Sequence, residues 1–536
     1  MPQLTFITPD STGRIAFTPG SSVREILDAA GVPIRSGCRG NGACGLCIVQ
    51  VENGEVNGFT KNELLLLTSD QIDWNARLAC QLMPEGDLTI RIVGAASSRG
   101  WRVLPPSRLS SAFSNLRPLA ANESKGSTDN HYGLAVDLGT THISVSLWDL
   151  THANRLSGRV GLNPQYRFGT DVVTRLIAAG ESPENARRMA LKPLYAIGEA
   201  LRDMCLHDGI DPRMLTRVAI VGNTAMLALL TETDPGILLR PHSWTQPFDC
   251  RQDRSHSWVN LLGVHPEASI EVVSPFAGFV GSDLLAGVLA SHLTDNPGGL
   301  LIDFGTNSEI ALWDGNKLWI TSAAGGPAFE GCGMQCGMPA EPGAIYRVGP
   351  VPDSTYFHLE VIGRGKARGI CGSGLVDLIA CLRGAGALTP TGKLTPPHSK
   401  DGFIVQPEPM IRMTHRDVDM LQRAKAAIGV GIKTLLNVTG MSAKELSRVC
   451  VCGAFGEHLN ICNAQRIGLL PATLPERIEL CGNTALAGCE RLLLSPTGAE
   501  DLESLRQRAT IINLSQSSDF ESLFLESLYL QPLMTD

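Results

Sequence analysis

The chain has no run of eighteen or more apolar residues, no extended basic stretch and no Walker A loop, and each absence removes a class of protein. Without the first, no membrane-spanning helix is expected. The opening MPQLTFITPDSTGR carries neither a basic n-region nor an apolar h-region, so no secretory leader is expected and the chain reads as cytoplasmic. Lys and Arg total 45 against 53 Asp and Glu, a net charge of -8. With its cations dispersed, the chain is expected to bind neither nucleic acid nor a membrane. The Walker pattern fails where Gly365-Lys366 runs into Ala367, so any nucleotide must be held by other means. Only one CxxC pair occurs, which argues against a two-knuckle zinc site. Fifteen cysteines, an odd number spread over 536 residues, are expected to be reduced thiols rather than a disulfide framework.

What is present begins with Cys38, Cys44, Cys47 and Cys80, three in a glycine-rich loop and one distant partner. Four thiolates can give two irons two ligands each, and Gly37, Gly40, Gly42 and Gly45 let backbone wrap closely around sulfur. We therefore expect these cysteines to hold a 2Fe-2S cluster, with zinc or free thiols as the competing reading. Leu4 to Thr8 and Arg14 to Thr18 alternate as a hairpin, Ser22 caps a helix over 23–30, and strands follow at 47–51 and 88–93. This order resembles the β-grasp of 2Fe-2S ferredoxins, and the five residues between the first two cysteines resemble the adrenodoxin-type pattern. The expected unit spans 1–94.

From Ala95 to Asn130 periodicity gives way to Ser, Pro, Asn and Gly, which reads as a flexible linker. Such a segment has an r.m.s. span on the order of 33 Å, enough to move a small domain between donor and acceptor. The other reading packs it along the larger body with Trp101 as an anchor.

The remainder is expected to be one duplicated fold, with a first half at 131–298 and a second at 299–536. LAVDLGTT (134–141) and LLIDFGTN (300–307) each deliver Asp, Gly and Thr into a tight turn after an apolar strand. Gly139, Thr140 and Thr141, with Gly305, Thr306 and Asn307, could present N–H groups and hydroxyls to phosphates, while Asp137 and Asp303 could hold a hydrated Mg2+. VAIVGNTAM (218–226) and IELCGNTAL (478–486) read as a second repeat, which implies an insertion of about 94 residues in the second half. The arrangement resembles the actin, sugar-kinase and chaperone ATPases, so ATP is the expected ligand. VCGAFG (451–456) resembles the adenosine element of that superfamily, with Gly453, Ala454 and Gly456 against the purine. A turn serving only helix–strand packing is the competing reading.

A ferredoxin joined to this ATPase fold, together with AAGGPAFEG (323–331), CGMPAEPGAI (336–345), GICGSGLVDLIA (369–380) and VCGAFGEHLN (451–460), resembles the reductive activators of corrinoid proteins. The resemblance implies an ATP-dependent electron transferase that returns oxidised Co(II) to Co(I) on a corrinoid partner of a methyltransferase system. It further implies a low-potential electron donor; a homodimer is compatible with the pattern. A plant-type cluster sits near about -400 mV, and each roughly 59 mV of shortfall costs a factor of ten. A corrinoid couple lies lower still, so ATP is needed. The small-residue loop 321–327 would let Ser322 approach the corrin face, the competing reading being a turn with a solvated hydroxyl. Activation of a non-corrinoid partner, or redox sensing, is the alternative function.

Smaller expectations complete the reading. Cys332 and Cys336 near Cys371 are expected to pack rather than bind metal. Glu457 and His458 are read either as ribose or phosphate contacts or as a surface pair. The amphipathic stretch Gln422 to Ile432 places Lys425 in solvent or on nucleotide.

Overall fold

The computed structural model describes residues 1–536 except 9, 10, 33, 35–39, 43, 44, 46, 68, 93–99, 108, 110–130, 170, 251–254, 332, 353–355, 364, 409, 454, 456, 457 and 534–536. Five strands form the first sheet: β1 (Gln3–Ile7), β2 (Thr12–Ala16), β3 (Ile48–Asn53), β4 (Ala76–Leu78) and β5 (Leu88–Ile92), in the order β2-β1-β5-β3-β4. The β1–β5 pair is parallel and its neighbours antiparallel. Leu4, Val49, Leu78 and Ile90 alternate onto the face covered by the helix Val23–Ala29. That helix starts where expected, because Ser22 and Glu25 form a reciprocal capping box that satisfies two otherwise orphaned N–H groups. This is the β-grasp read from the pattern.

The linker expectation meets a correction at its start. Here β6 (Arg102–Val103) pairs antiparallel with residues 159–160 of a later strand. Trp101 packs beside Gly161, and Leu104 donates its N–H to the Gly158 carbonyl at 2.9 Å. Residues 101–104 are thus strand and anchor rather than tether; most of the remaining stretch, 95–99 and 110–130, lies outside the described residues.

Two six-stranded sheets carry the rest. The first comprises β6, β7 (Tyr132–Leu138), β8 (His142–Asp149), β9 (Asn154–Leu162), β10 (Leu215–Gly222) and β11 (Ser269–Val272), ordered β11-β10-β7-β8-β9-β6. In the second half come β12 (Gly299–Phe304), β13 (Ser308–Trp313) and β14 (Leu318–Ala323). A small sheet of β15 (Ala344–Pro350), β16 (Phe357–Val361) and β17 (Gly369–Ile370) and a hairpin of β18 (Phe403–Gln406) and β19 (Ile411–Met413) intervene. Then β20 (Arg448–Gly453), β21 (Ile478–Gly482) and β22 (Ala509–Ile511) complete the sheet β21-β20-β12-β13-β14-β22. In both halves the hairpin strands run antiparallel and the next two join in parallel. The duplication is therefore genuine.

The second repeat, however, does not pair equivalent strands. β10, which ends in the first GNTA, adjoins β7, and the strand that adjoins β12 is β20. The partner of VAIVGNTAM is consequently the VCVCGAFG segment, while the second GNTA follows β21, the counterpart of β11. β10 begins 83 residues after β7 and β20 begins 149 after β12, so the insertion between these strands is 66 residues rather than 94. The error has a local cause. A glycine closing a strand and an asparagine capping a helix recur at any such turn, and both Asn223 and Asn483 do accept a helix N–H.

The two helices that follow β11 and β21, Ser282–Ser291 and Thr484–Leu494, cross where the halves meet. Their openings read GSDLLAG (281–287) and GNTALAG (482–488), a likeness that fits the sheet topology. Gly287 faces Thr484 and Gly488 faces Ala286; a Cβ on Gly488 would run into the Ala286 carbonyl. Gly488→Ala is expected to cost about 1–3 kcal/mol through overpacking, seen as a lowered Tm in calorimetry with the iron–sulfur spectrum unchanged.

Candidate active site

Asp137 and Asp303 stand near the ends of β7 and β12, the corresponding inner strands of the two sheets, and the turns after them face each other across a cleft of about 540 Å3. The cleft is lined by Gly139, Thr140 and Thr141 from the first turn and by Gly305, Thr306 and Asn307 from the second. Gly453 joins from the end of β20, held at φ +80° with Asp303 packed against it. The duplicated turns and the start of the adenosine-like element are therefore brought together; Ala454 and Gly456 lie outside the described residues.

One side chain joins the turns. Glu330 accepts from Thr141 Oγ1 at 2.5 Å and from Thr306 Oγ1 at 3.1 Å, and the two hydroxyls are 3.1 Å apart. Asn483, capping the helix after β21, donates across the cleft to Asp137 Oδ2 at 2.7 Å. The first turn is braced from behind by buried Arg175, which donates to the carbonyls of Thr140 at 2.7 Å and Gly169 at 2.8 Å. Joining the halves and positioning the duplicated turns are thus one set of hydrogen bonds.

The electrostatics of the cleft are dominated by acids. Burial, opposed by the Asn483 hydrogen bond, pushes Asp137 up to about 6. Burial and then the charges of Asp137 and Glu330 push Asp303 up to about 7. Asp283 rises to about 8 through burial and the charges of Asp137 and Asp303, and Glu309 and Glu330 are raised chiefly by burial. Five carboxyl groups held this way favour a cation. Among the described residues no three of them converge as direct ligands. The donor set suits a hard ion that keeps much of its water, as Mg2+ does.

A pH dependence follows. The unfolded chain ionises these acids near pH 4, whereas the folded chain retains protons on Asp137, Asp303 and Asp283 up to about 6, 7 and 8. The folded state then binds more protons across that window, so stability falls as pH rises from about 4 to 8. A divalent cation held there would take the place of the protons. Its stabilisation is expected to be larger at pH 8 than at pH 6, measured as the difference in Tm with and without Mg2+ and nucleotide.

The iron site is partly described. Cys38 and Cys44 lie outside the described residues, but Cys47 and Cys80, separated by 33 positions, have their sulfurs 3.4 Å apart and buried. Ala79 N–H bonds the Cys47 carbonyl at 2.7 Å, which fixes the two thiols side by side as two ligands of one iron require. These residues fit a cluster.

Other expected residues fall differently. Ser322 is paired with Glu309 across β13 and β14, its hydroxyl 3.4 Å from the Glu309 carboxylate. Lys425 is not solvated: it is 1% exposed and donates to the Tyr529 carbonyl at 2.6 Å. Cys336 and Cys371 are buried, and Cys332 and Glu457 lie outside the described residues. His458 lines the cleft and packs on Tyr346. Asp283, Glu309, Glu330 and Asn483 had no role assigned from the sequence. Glu330 stands within the quoted AAGGPAFEG, and the likeness of GSDLLAG to GNTALAG would have marked the turn that carries Asp283.

Comparison with known proteins agrees with this geometry. Residues 298–535 match the C-terminal domain of RACo, the ASKHA domain; residues 132–296 match the RACo middle region; and residues 7–85 match the 2Fe-2S iron–sulfur cluster binding domain. The corrinoid activation enzyme RamQ of Eubacterium limosum is 31% identical over 74% of this chain and 69% of its own length. The chain belongs to the RACo family of corrinoid activators. A second relative, the reductase of the Co(II) methylated amine-specific corrinoid protein of Methanosarcina barkeri, is 28% identical over 74% of this chain and 76% of its own. A solved structure titled reductive activator for corrinoid, iron-sulfur protein superposes with a TM-score of 0.67 at 26% identity, covering 100% of this chain and 99% of that one. Like other members of the RACo family, the chain joins an ATPase of the ASKHA fold to a 2Fe-2S domain and is an ATP-dependent electron-transfer enzyme.

Proposed function

We propose that this chain reduces the Co(II) form of a corrinoid protein of a methyltransferase system to methyl-accepting Co(I), using one electron from its 2Fe-2S cluster and the binding and hydrolysis of ATP. The observation that carries the reading is the cleft, in which Glu330 bonds threonines of both halves and Asn483 bonds Asp137. A nucleotide entering there replaces these contacts and changes the relation of the halves. ATP shifts an equilibrium only through differential affinity for two states, and these interlocked turns are the bistable element. In this reading Asp137 and Asp303 hold hydrated Mg2+, with Asp283 nearby. The phosphates lie along Gly139, Thr140, Thr141, Gly305, Thr306 and Asn307, and the purine meets Gly453, Ala454 and Gly456.

When loaded, a cluster held by Cys38, Cys44, Cys47 and Cys80 would supply a low-potential electron and be refilled by a low-potential donor. Within the described residues no helix is long and apolar enough to cross a membrane; the reading places the reaction in the cytoplasm, and a homodimer is compatible with it. In this reading Ser322, a residue of β14 rather than of the expected loop, meets the cobalt partner, and its hydroxyl also holds Glu309.

The test mixes the purified protein, a Co(II) corrinoid protein, a reductant and ATP, and follows the Co(I) absorption band. ATP-dependent appearance of the band is expected, with catalytic amounts of the chain serving excess partner. No such band with any of a panel of methyltransferase corrinoid proteins would refute the proposal. In the same assay Ser322→Ala is expected to slow reduction about tenfold, and an unchanged rate together with unchanged complex spectra would remove Ser322 from the mechanism.

A further inference from the structure

Beside Cys80 lies a cation whose buried donors the fold leaves without hydrogen bonds. Arg24 is on the helix Val23–Ala29, whose first N–H groups bond the segment carrying Cys80: Val23 to the Leu82 carbonyl and Arg24 to the Ala79 carbonyl, each at 2.9 Å. Its side chain turns inward rather than to solvent. Nε and Nη1 are both buried and neither makes a hydrogen bond, although Asp28 Oδ2 lies 3.3 Å from Nε as an ion-pair partner that is itself half exposed. Burying such donors unsatisfied is costly, most of all for a charged group. A protein that retains them has an acceptor in view.

The surroundings identify that acceptor. Gly40 of the cysteine loop sits at φ +96°, and the space its side chain would fill is taken by the guanidinium, with Arg24 Nη1 at 3.1 Å and Cys80 Cβ at 3.9 Å from that point. The guanidinium and the Cys80 side chain thus flank one point at Gly40, with Cys80 and Cys47 the described cysteines of the iron site. We propose that Arg24 sets the reduction potential of the cluster, its buried N–H groups and positive charge stabilising the extra electron of the reduced state. The inference rests on the four cysteines holding a 2Fe-2S cluster. Potentials of such clusters follow net charge and hydrogen bonds to sulfur, and a charge at this depth is weakly screened. Arg24 is a positioning and tuning residue. It ligates no iron.

The experiment uses the full chain with its cluster reconstituted and three variants, Arg24→Lys, Arg24→Gln and Arg24→Met. Iron and sulfide content and the visible spectrum of the unaltered protein test the cluster itself, separately from Arg24. An EPR-monitored redox titration then gives each midpoint. Removing the charge is expected to reduce the equilibrium constant for cluster reduction about tenfold, a midpoint lower by about 59 mV, in the Gln and Met variants, with Lys close to the unaltered protein. A midpoint that is unchanged or raised in fully loaded Gln and Met variants would overturn the proposal. Loss of the cluster from all three variants, with the fold retained, would overturn it too, because Arg24 would then serve assembly rather than potential.

Discussion

Asp303→Asn is expected to lower ATP hydrolysis and ATP-dependent corrinoid reduction about 100-fold, to leave the iron–sulfur spectrum unchanged, and to raise the Tm of the nucleotide-free protein at pH 8. The last outcome separates a functional acid from a structural one. Asp303 is held up to about 7 by burial first and then by the charges of Asp137 and Glu330, and its own charge raises Asp283 and Glu309 in return. Neutralising it relieves its neighbours, so the nucleotide-free cleft should become more stable just as a carboxylate proposed to hold the cation is lost. A stability gain bought with lost activity is the usual signature of strained functional groups. The assays are steady-state phosphate release and the Co(I) band, alongside thermal unfolding at pH 6 and pH 8. If Asp303→Asn left turnover within a factor of two, the cleft carboxylates would not hold the catalytic cation.

The DxGT turns were legible because a buried strand followed by Asp, Gly and Thr has few uses, and two copies confirm each other. The ferredoxin hairpin and its helix were legible for a similar reason, since alternation and the Ser22 cap are local signals. What failed was matching at a distance. The two GNTA turns share local chemistry, yet one follows the inner strand β10 and the other the outer strand β21, and no local feature encodes position in a sheet. The acids beyond Asp137 and Asp303 were hidden for a related reason. Glu309 is strand residue, Asp283 begins a helix and Glu330 lies in a short turn, so only the closed cleft shows that they share one field. The segment Trp101 to Leu104 misled in the opposite direction. Its composition is that of a linker, but it is fixed by β9 and bridges the halves, with Arg102 donating to the Ala340 carbonyl at 3.4 Å.

That bridge bears on coupling. Arg102, Leu104, Pro105, Pro106 and Ser107 line the same cleft as the duplicated turns, and they belong to the chain segment that leaves the ferredoxin. Opening the cleft would move the two walls that hold Arg102, one through β9 and the other at Ala340. The electron carrier and the nucleotide site are thus connected by residues that touch both halves, without any requirement that the cluster itself approach the nucleotide.

Cys80→Ala is expected to give the opposite dissociation from Asp303→Asn, with corrinoid reduction lost to the detection limit and ATP binding within about twofold of the unaltered protein. The reasoning begins with iron. Cys47 and Cys80 are 3.4 Å apart, and removing one thiol leaves an iron with a single protein ligand from this pair, too few for a stable 2Fe-2S centre. The fold should survive, because Cys80 is a small buried group in a core built by Leu4, Val49, Leu78 and Ile90, where alanine replaces cysteine at little cost in volume. The nucleotide site should survive as well, since every group that lines it comes from residues beyond the ferredoxin. Iron content, visible absorption and the Co(I) band measure the first outcome, and ATP titration measures the second. If Cys80→Ala reduced the partner at the ordinary rate, the electron would not pass through the cluster. If it lost ATP binding too, the ferredoxin and the cleft would be one cooperative unit rather than a carrier joined to a motor.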